Sequence, residues 1–162
     1  MPSLKSFYLI DCPEVESLPR GGFPSNLELI SVQSCDKLFA GRTGWGLQNL
    51  PSLVNLYVGG KSEDAVSFPE PGLLPSCLTL LDISQFQNMK YLEKKGLKHL
   101  TSLQGLTFHD CPKLKHVPVK DLPASLSTIR IYACPLLKKR WLSGHKVPAV
   151  DHIEIDCEEY IG

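Results

Sequence analysis

One nine-residue phrase recurs along this chain and constrains its fold more than any other feature. In Leu126-Ser127-Thr128-Ile129-Arg130-Ile131-Tyr132-Ala133-Cys134, apolar residues occupy relative places 0, +3 and +5, and a cysteine occupies +8. Leu103, Leu106, Phe108 and Cys111 repeat the phrase upstream, and Leu27, Ile30, Val32 with Cys35 and Leu4, Phe7, Leu9 with Cys12 do so again. Leu78, Leu81 and Ile83 have Phe86 in the cysteine place, while Lys61 breaks that place after Leu53, Leu56 and Val58. Val150, Ile153 and Ile155 supply a seventh copy of the first three places. Successive copies start 23, 26, 25, 25, 23 and 24 residues apart. A unit of this length cannot bury its own apolar face, so neighbouring copies must stack and bury it together.

The second half of each phrase alternates apolar and polar residues (Ile129, Arg130, Ile131), the period-two mark of a strand buried on one face. Strands are therefore expected near 4–9, 27–32, 53–58, 78–83, 103–108, 126–131 and 150–155, each parallel to the next and about 4.8 Å from it. At +8 the chain leaves the strand with its side chain inward. Cysteine suits that place because it is small, apolar and still a weak donor to carbonyls. Proline follows in Cys12-Pro13, Cys111-Pro112 and Cys134-Pro135, where it stops the ladder and forces a turn. A further apolar residue stands at +11 (Val15, Leu114, Leu137) and another at +14 (Leu18, Leu92, Val117). Helical periodicity is confined to Leu92–Leu100 and Leu137–Leu142, so the far side should be mostly irregular chain and 3₁₀ turns. The pattern L-x-x-L-x-L-x-x-N/C with a 20–29-residue period is the leucine-rich repeat. The expected fold is thus an α/β-type repeat solenoid, a horseshoe with a parallel β-sheet on its concave face, forming a single domain over residues 1–162.

Composition narrows the function classes. Seventeen basic residues balance seventeen acidic ones, which removes the usual electrostatic reason to expect nucleic acid or an anionic membrane as partner. No apolar run is long enough to span a bilayer. The amino terminus lacks the layout of a secretory signal. Gly59-Gly60-Lys61-Ser62 looks like the end of a phosphate-binding loop, but Asn55 stands where the pattern requires glycine and no helix follows, so a turn is expected. Of six cysteines, Cys12, Cys35, Cys111 and Cys134 share the +8 place, which explains them as a buried thiol ladder without metal. Adjacent pairs lie close enough to bridge, yet stay thiols in a reducing compartment. Cys77 and Cys157 fall outside that place and receive no assignment. His99, His109, His116, His145 and His152 form no metal-binding or nucleophile-activating pair, so no enzyme chemistry and no cofactor are expected. Lys138-Lys139-Arg140 reads as a solvated turn.

The binding face follows from the same geometry, because residues at +1, +2, +4 and +6 point away from the core. The +4 column reads Tyr8, Ser31, Tyr57, Asp82, Thr107, Arg130, Glu154, and the +6 column Ile10, Gln33, Gly59, Ser84, His109, Tyr132, Asp156. Tyrosine and arginine are enriched at protein interfaces, where they bring large contact area with a polar tip. The candidate protein-binding residues are therefore Tyr8, Tyr57, Asp82, Thr107, His109, Arg130, Tyr132 and Glu154.

Leu122 to Arg140 (Leu-Pro-x-Ser-Leu-Ser-x-Ile-x-Ile-x-x-Cys-Pro-Leu-Leu-Lys-x-Arg) and the close Val150-Asp151-His152-Ile153-Glu154-Ile155-Asp156 resemble one family. It is the carboxy-terminal leucine-rich-repeat end of plant coiled-coil nucleotide-binding disease-resistance receptors. The resemblance covers essentially the whole chain and is most specific over its last forty residues. It implies an effector-sensing, autoinhibitory region in the cytoplasm or nucleus. Its partners would be a pathogen effector or a guarded host protein, and the receptor's own nucleotide-binding domain. No nucleotide-binding motif occurs in these residues, and the first repeat starts in mid-stride. The expected reading is a receptor tail whose isolated form self-associates through uncovered Leu4, Phe7 and Leu9. A substrate-recruiting arm of an F-box ubiquitin ligase remains open. An extracellular receptor arm is disfavoured because Gly-x-Ile-Pro phrases are missing.

Overall fold

The computed structural model describes residues 4–144 and 150–161, the side chains of 160 and 161 excepted. His145 and the first three residues lie outside them. The copies of the phrase form β1 (Ser6–Ile10), β2 (Leu29–Gln33), β3 (Asn55–Gly59), then β5 (Leu80–Ser84), β7 (Gly105–His109), β8 (Thr128–Tyr132) and β9 (His152–Ile155). Between them lie α1 (Asp36–Ala40), β4 (Ser67–Phe68), β6 (Tyr91–Leu92), α2 (Lys94–Leu97) and α3 (Pro135–Leu142), and β10 (Glu158–Ile161) closes the series. One mostly parallel sheet runs β1-β2-β3-β5-β7-β8-β9-β10, with only β10 antiparallel to its neighbour.

Register is what makes the phrase work. Every +3 residue faces the +3 residue of the next strand, from Phe7 and Ile30 through Leu56, Leu81 and Leu106 to Ile129 and Ile153. A slip of one residue would turn the whole apolar set to water, so the alternation itself locks the pairing. Core side chains such as Ile30, Leu56, Leu81, Leu106 and Ile129 are fully buried. Each stabilises the fold by about 1.5–3 kcal/mol relative to exposure.

The strands start two residues later than the sequence suggests, and all but β9 take in their +6 residue, since β9 stops at Ile155 and Asp156 lies in a turn. Place 0 belongs to the preceding turn, where Leu27 N–H donates to the Pro24 carbonyl, Leu78 to Pro75 and Leu126 to Pro123. Those leucines are nevertheless buried. The ladder opens at +1, whose carbonyl accepts twice: Lys5 O takes the N–H groups of Glu28 and Leu29, and Glu28 O those of Val54 and Asn55. It closes at +7, where Asp11, Ser34, Gln85, Asp110 and Ala133 all have positive φ. Asp and Ser tolerate this left-handed bend, which aims the next residue inward.

Cys35, Cys111 and Cys134 are buried at +8 and Cys12 is half-buried, all as free thiols. Their sulfurs donate to carbonyls as expected, Cys35 to Gln33 O at 3.2 Å, Cys134 to Tyr132 O at 3.2 Å and Cys12 to Ile10 O at 3.3 Å. Contact with the Cys134 sulfur and burial push the Cys111 thiol well up, so it is inert at neutral pH. Phe86 fills the same place with a larger plug and packs 4.9 Å from Phe39, within an aromatic run that also holds Phe7, Phe23, Trp45 and Phe68.

The far side is short helices, 3₁₀ turns at 42–44, 47–49 and 119–121, and the two-stranded β4–β6 pair. Helical turns appear where expected, in α2 and in α3, whose first residue is Pro135. The basic run Lys138–Arg140 is therefore helical rather than a turn. α1 was not signalled by periodicity, because five residues give too few turns to show one.

Candidate functional site: the exposed face of the sheet

Side chains at +4 and +6 stand on the face of the sheet opposite the core, in two rows set by the register. The +4 row runs Tyr8, Ser31, Tyr57, Asp82, Thr107, Arg130, Glu154 across adjacent strands. Exposure along it is uneven. Tyr8 is 60% exposed, whereas Ser31, between the two tyrosines, is 6% exposed. Thr107 is 9% exposed, so it presents little surface to a partner although it lies in the expected row. Burial raises the Asp82 carboxyl above its ordinary value, and His109 acts against that rise. Burial also raises the Tyr57 phenol, helped by Asp82 and Tyr8.

At the β7–β9 end the candidate residues form one connected group. The Tyr132 hydroxyl donates to Glu154 Oε1 at 2.7 Å, and Arg130 Nε meets Glu154 Oε2 at 3.4 Å. The His109 and Tyr132 rings lie 6.0 Å apart. Burial first, and then Glu154, push the Tyr132 phenol up to about 12. Glu154 thus holds the two large side chains beside it, which lowers the entropy lost when they are covered by a partner.

At the other end Tyr8, Tyr57 and the 53%-exposed Ile10 present aromatic and apolar surface without such ties. Between the two groups lies Gly59. Ser84 Oγ donates to Gln33 Oε1 at 2.9 Å from the strands on either side, and a Cβ on Gly59 would sit 2.3 Å from both atoms. The glycine pair is therefore where neighbours close over the strand; Gly59 ends β3, Gly60-Lys61-Ser62 continue as irregular chain rather than the expected turn, and the next element is β4 rather than a helix.

Three features escaped the sequence reading. Cys77 donates to Leu50 O at 3.4 Å and Leu53 O at 3.2 Å, while Ser125 bonds Leu100 O and Leu103 O in the same way. Both occupy place −1, where Ser52 and Ser102 also stand, and that column was the available signal. Asp156 and Cys157 both have positive φ and make the two-residue turn of the β9–β10 hairpin, so β10 rather than β9 is the outer strand. Asp156 also accepts from Ala133 N–H at 2.9 Å and from Lys138 Nζ at 2.8 Å, tying the hairpin turn to the end of β8 and to α3. Arg42 pairs with Glu70 on the far side, its guanidinium 4.3 Å above the Phe39 ring. No signal in the sequence links those two loops.

Among the described residues no group of three or more His, Cys, Asp or Glu is placed to hold a metal ion. None of the helices is long and apolar enough to cross a membrane. Compared with curated proteins, the chain is 41% identical over 185 aligned residues to a putative disease resistance protein of Arabidopsis thaliana, and the match takes in 97% of this chain. The chain is a relative of the plant disease resistance proteins. It spans 13% of that relative's length. No family model matches it, and no solved structure does. The resemblance read from Leu122–Arg140 and Val150–Asp156 thus extends over nearly the whole chain.

Proposed function

We propose that this chain is a leucine-rich-repeat solenoid arm whose exposed sheet face recognises protein partners within a plant intracellular immune receptor. On this reading it senses a pathogen effector or a guarded host protein and restrains the receptor's nucleotide-binding domain. The observation that carries the proposal is the identity to a disease resistance protein across 97% of the chain. Support comes from a parallel sheet that leaves tyrosine, histidine and arginine side chains on one uncovered face. Large residues with polar tips on one face are the composition of a protein interface. No catalytic group and no cofactor enter this function.

The test is the reading frame that contains the chain, together with transient expression of its product in leaf tissue. A nucleotide-binding domain encoded upstream is expected. Joint replacement of His109, Arg130 and Tyr132 by alanine should then alter cell death, either abolishing an elicited response or making it constitutive. An F-box upstream, or a product whose response ignores the triple substitution, would overturn the proposal.

A further inference from the structure

Beside the Arg130 group, the exposed face dips into a depression of about 230 Å³. Gly105 leaves it open, and a Cβ there would approach Leu80 Cδ1 to 2.9 Å. Thr79, Leu80, Gln104, Ser127, Thr128 and Arg130 line the rest. The lining contains one cation and no carboxylate. Two of its hydroxyls are already committed, Thr79 to Val54 O and Ser127 to Gln104 O. The Thr128 hydroxyl and the Gln104 side-chain amide have no hydrogen-bond partner among the described residues.

Arg130 is held in a particular way. Glu154 engages Nε at 3.4 Å, and the two terminal nitrogens carry no other partner among the described residues. A guanidinium fixed through Nε presents its end-on edge, two parallel N–H groups with the spacing of a carboxylate. The site thus offers donors around a gap, with a planar fork on one wall. At about 230 Å³ the gap is also smaller than the roughly 300–1,000 Å³ of small-molecule pockets. A single side chain suits it better than a free ligand.

We infer that this depression receives an aspartate or glutamate side chain of the partner protein, gripped by the free edge of Arg130 above Gly105. The inference rests on the recognition role proposed above and names the chemistry that one part of the face selects. The carboxylate meets Arg130 end-on, with Gln104 and Thr128 as flanking donors. Glu154 acts as a positioning residue that holds the guanidinium in place.

The experiment is selection of a random displayed-peptide library on the folded 162-residue chain, followed by affinity measurement on three variants. Enriched peptides should share an acidic residue at one position. Arg130→Gln should weaken them at least tenfold and Gly105→Ala severalfold, while Lys139→Gln on α3 leaves them unchanged. Circular dichroism of each variant checks that the fold is kept. A consensus without an acidic residue, equal binding by Arg130→Gln, or no retained peptide would each overturn the inference. Those results leave the receptor reading standing, because it is judged by the leaf response to the triple substitution.

Discussion

β1 and β8 carry the same phrase in different surroundings. Phe7 and Leu9 of β1 are only half-buried, whereas their counterparts Ile129 and Ile131 in β8 are fully buried, and Cys12 is half-buried where Cys134 is buried. β8 lies between β7 and β9, while β1 pairs with β2 alone. The exposed faces differ too. Tyr8 and Ile10 are more than half exposed and make no side-chain hydrogen bond among the described residues, but Arg130 and Tyr132 are tied to Glu154. The phrase decides which way each side chain points, and the neighbours decide how far it is covered and how firmly it is held. In a stack of repeats stability is a sum of unit and interface terms, so a strand with one neighbour has about half of the interface contribution.

The sharpest way to break this comparison is a matched pair of core truncations. Ile131→Ala should cost about 2–5 kcal/mol in urea denaturation, and Leu9→Ala less than half as much. Equal losses would mean that burial does not separate the two ends. Gly59→Ala probes the boundary between the two exposed groups. Its Cβ would meet Gln33 Oε1, Ser84 Oγ and the Ser84 carbonyl within 2.7 Å, so a loss of about 1–3 kcal/mol is expected from overpacking.

Asp156→Ala sharpens the account of the β9–β10 end. It removes the acceptor for Ala133 N–H and the Lys138 pair, and should cost about 0.5–1.5 kcal/mol. Lys138 and then the Ala133 amide hold the Asp156 carboxyl below its ordinary value. Its stabilisation is therefore full above the usual carboxylate range and is lost as pH falls through the depressed value. Acid titration of Asp156→Ala should accordingly show a flatter stability curve than the parent. Tyr132 works in the opposite sense. With its phenol raised to about 12, stability falls as pH climbs from about 10 to that value, and Tyr132→Phe should remove this alkaline component. Cys77→Ser should have the smallest effect, under about 0.5 kcal/mol by thermal denaturation. Serine at Ser125 already makes the same pair of bonds, and the substitution keeps the donor for Leu50 O and Leu53 O.

Most of the sheet was legible because the constraint is local. Places +3 and +5 alternate, register follows from the shared phrase, and the +8 cysteines find their carbonyls within two residues. Strand starts were misplaced by two because place 0 is buried in a turn, and burial pattern alone cannot tell a turn leucine from a strand leucine. The β9–β10 hairpin was missed because Asp156-Cys157 lacks the Asn-Gly or Asp-Gly pair that marks such turns. The Arg42–Glu70 pair and the β4–β6 contact join segments 28 and 24 residues apart, whose spacing varies from repeat to repeat. On the exposed face, the columns told which residues point outward. They could not tell that Thr107 is covered, or that Glu154 gathers Arg130 and Tyr132, since both depend on side-chain conformation.

The central claim is that recognition runs through the exposed face of the sheet. The most direct measurement is titration calorimetry between this chain and the nucleotide-binding domain that the proposed receptor reading expects upstream of it. The account predicts that the His109, Arg130, Tyr132 triple alanine variant binds at least tenfold more weakly than the parent, while Lys139→Ala on the opposite side binds as the parent does. Undiminished binding by the triple variant, or a loss confined to Lys139→Ala, would contradict it.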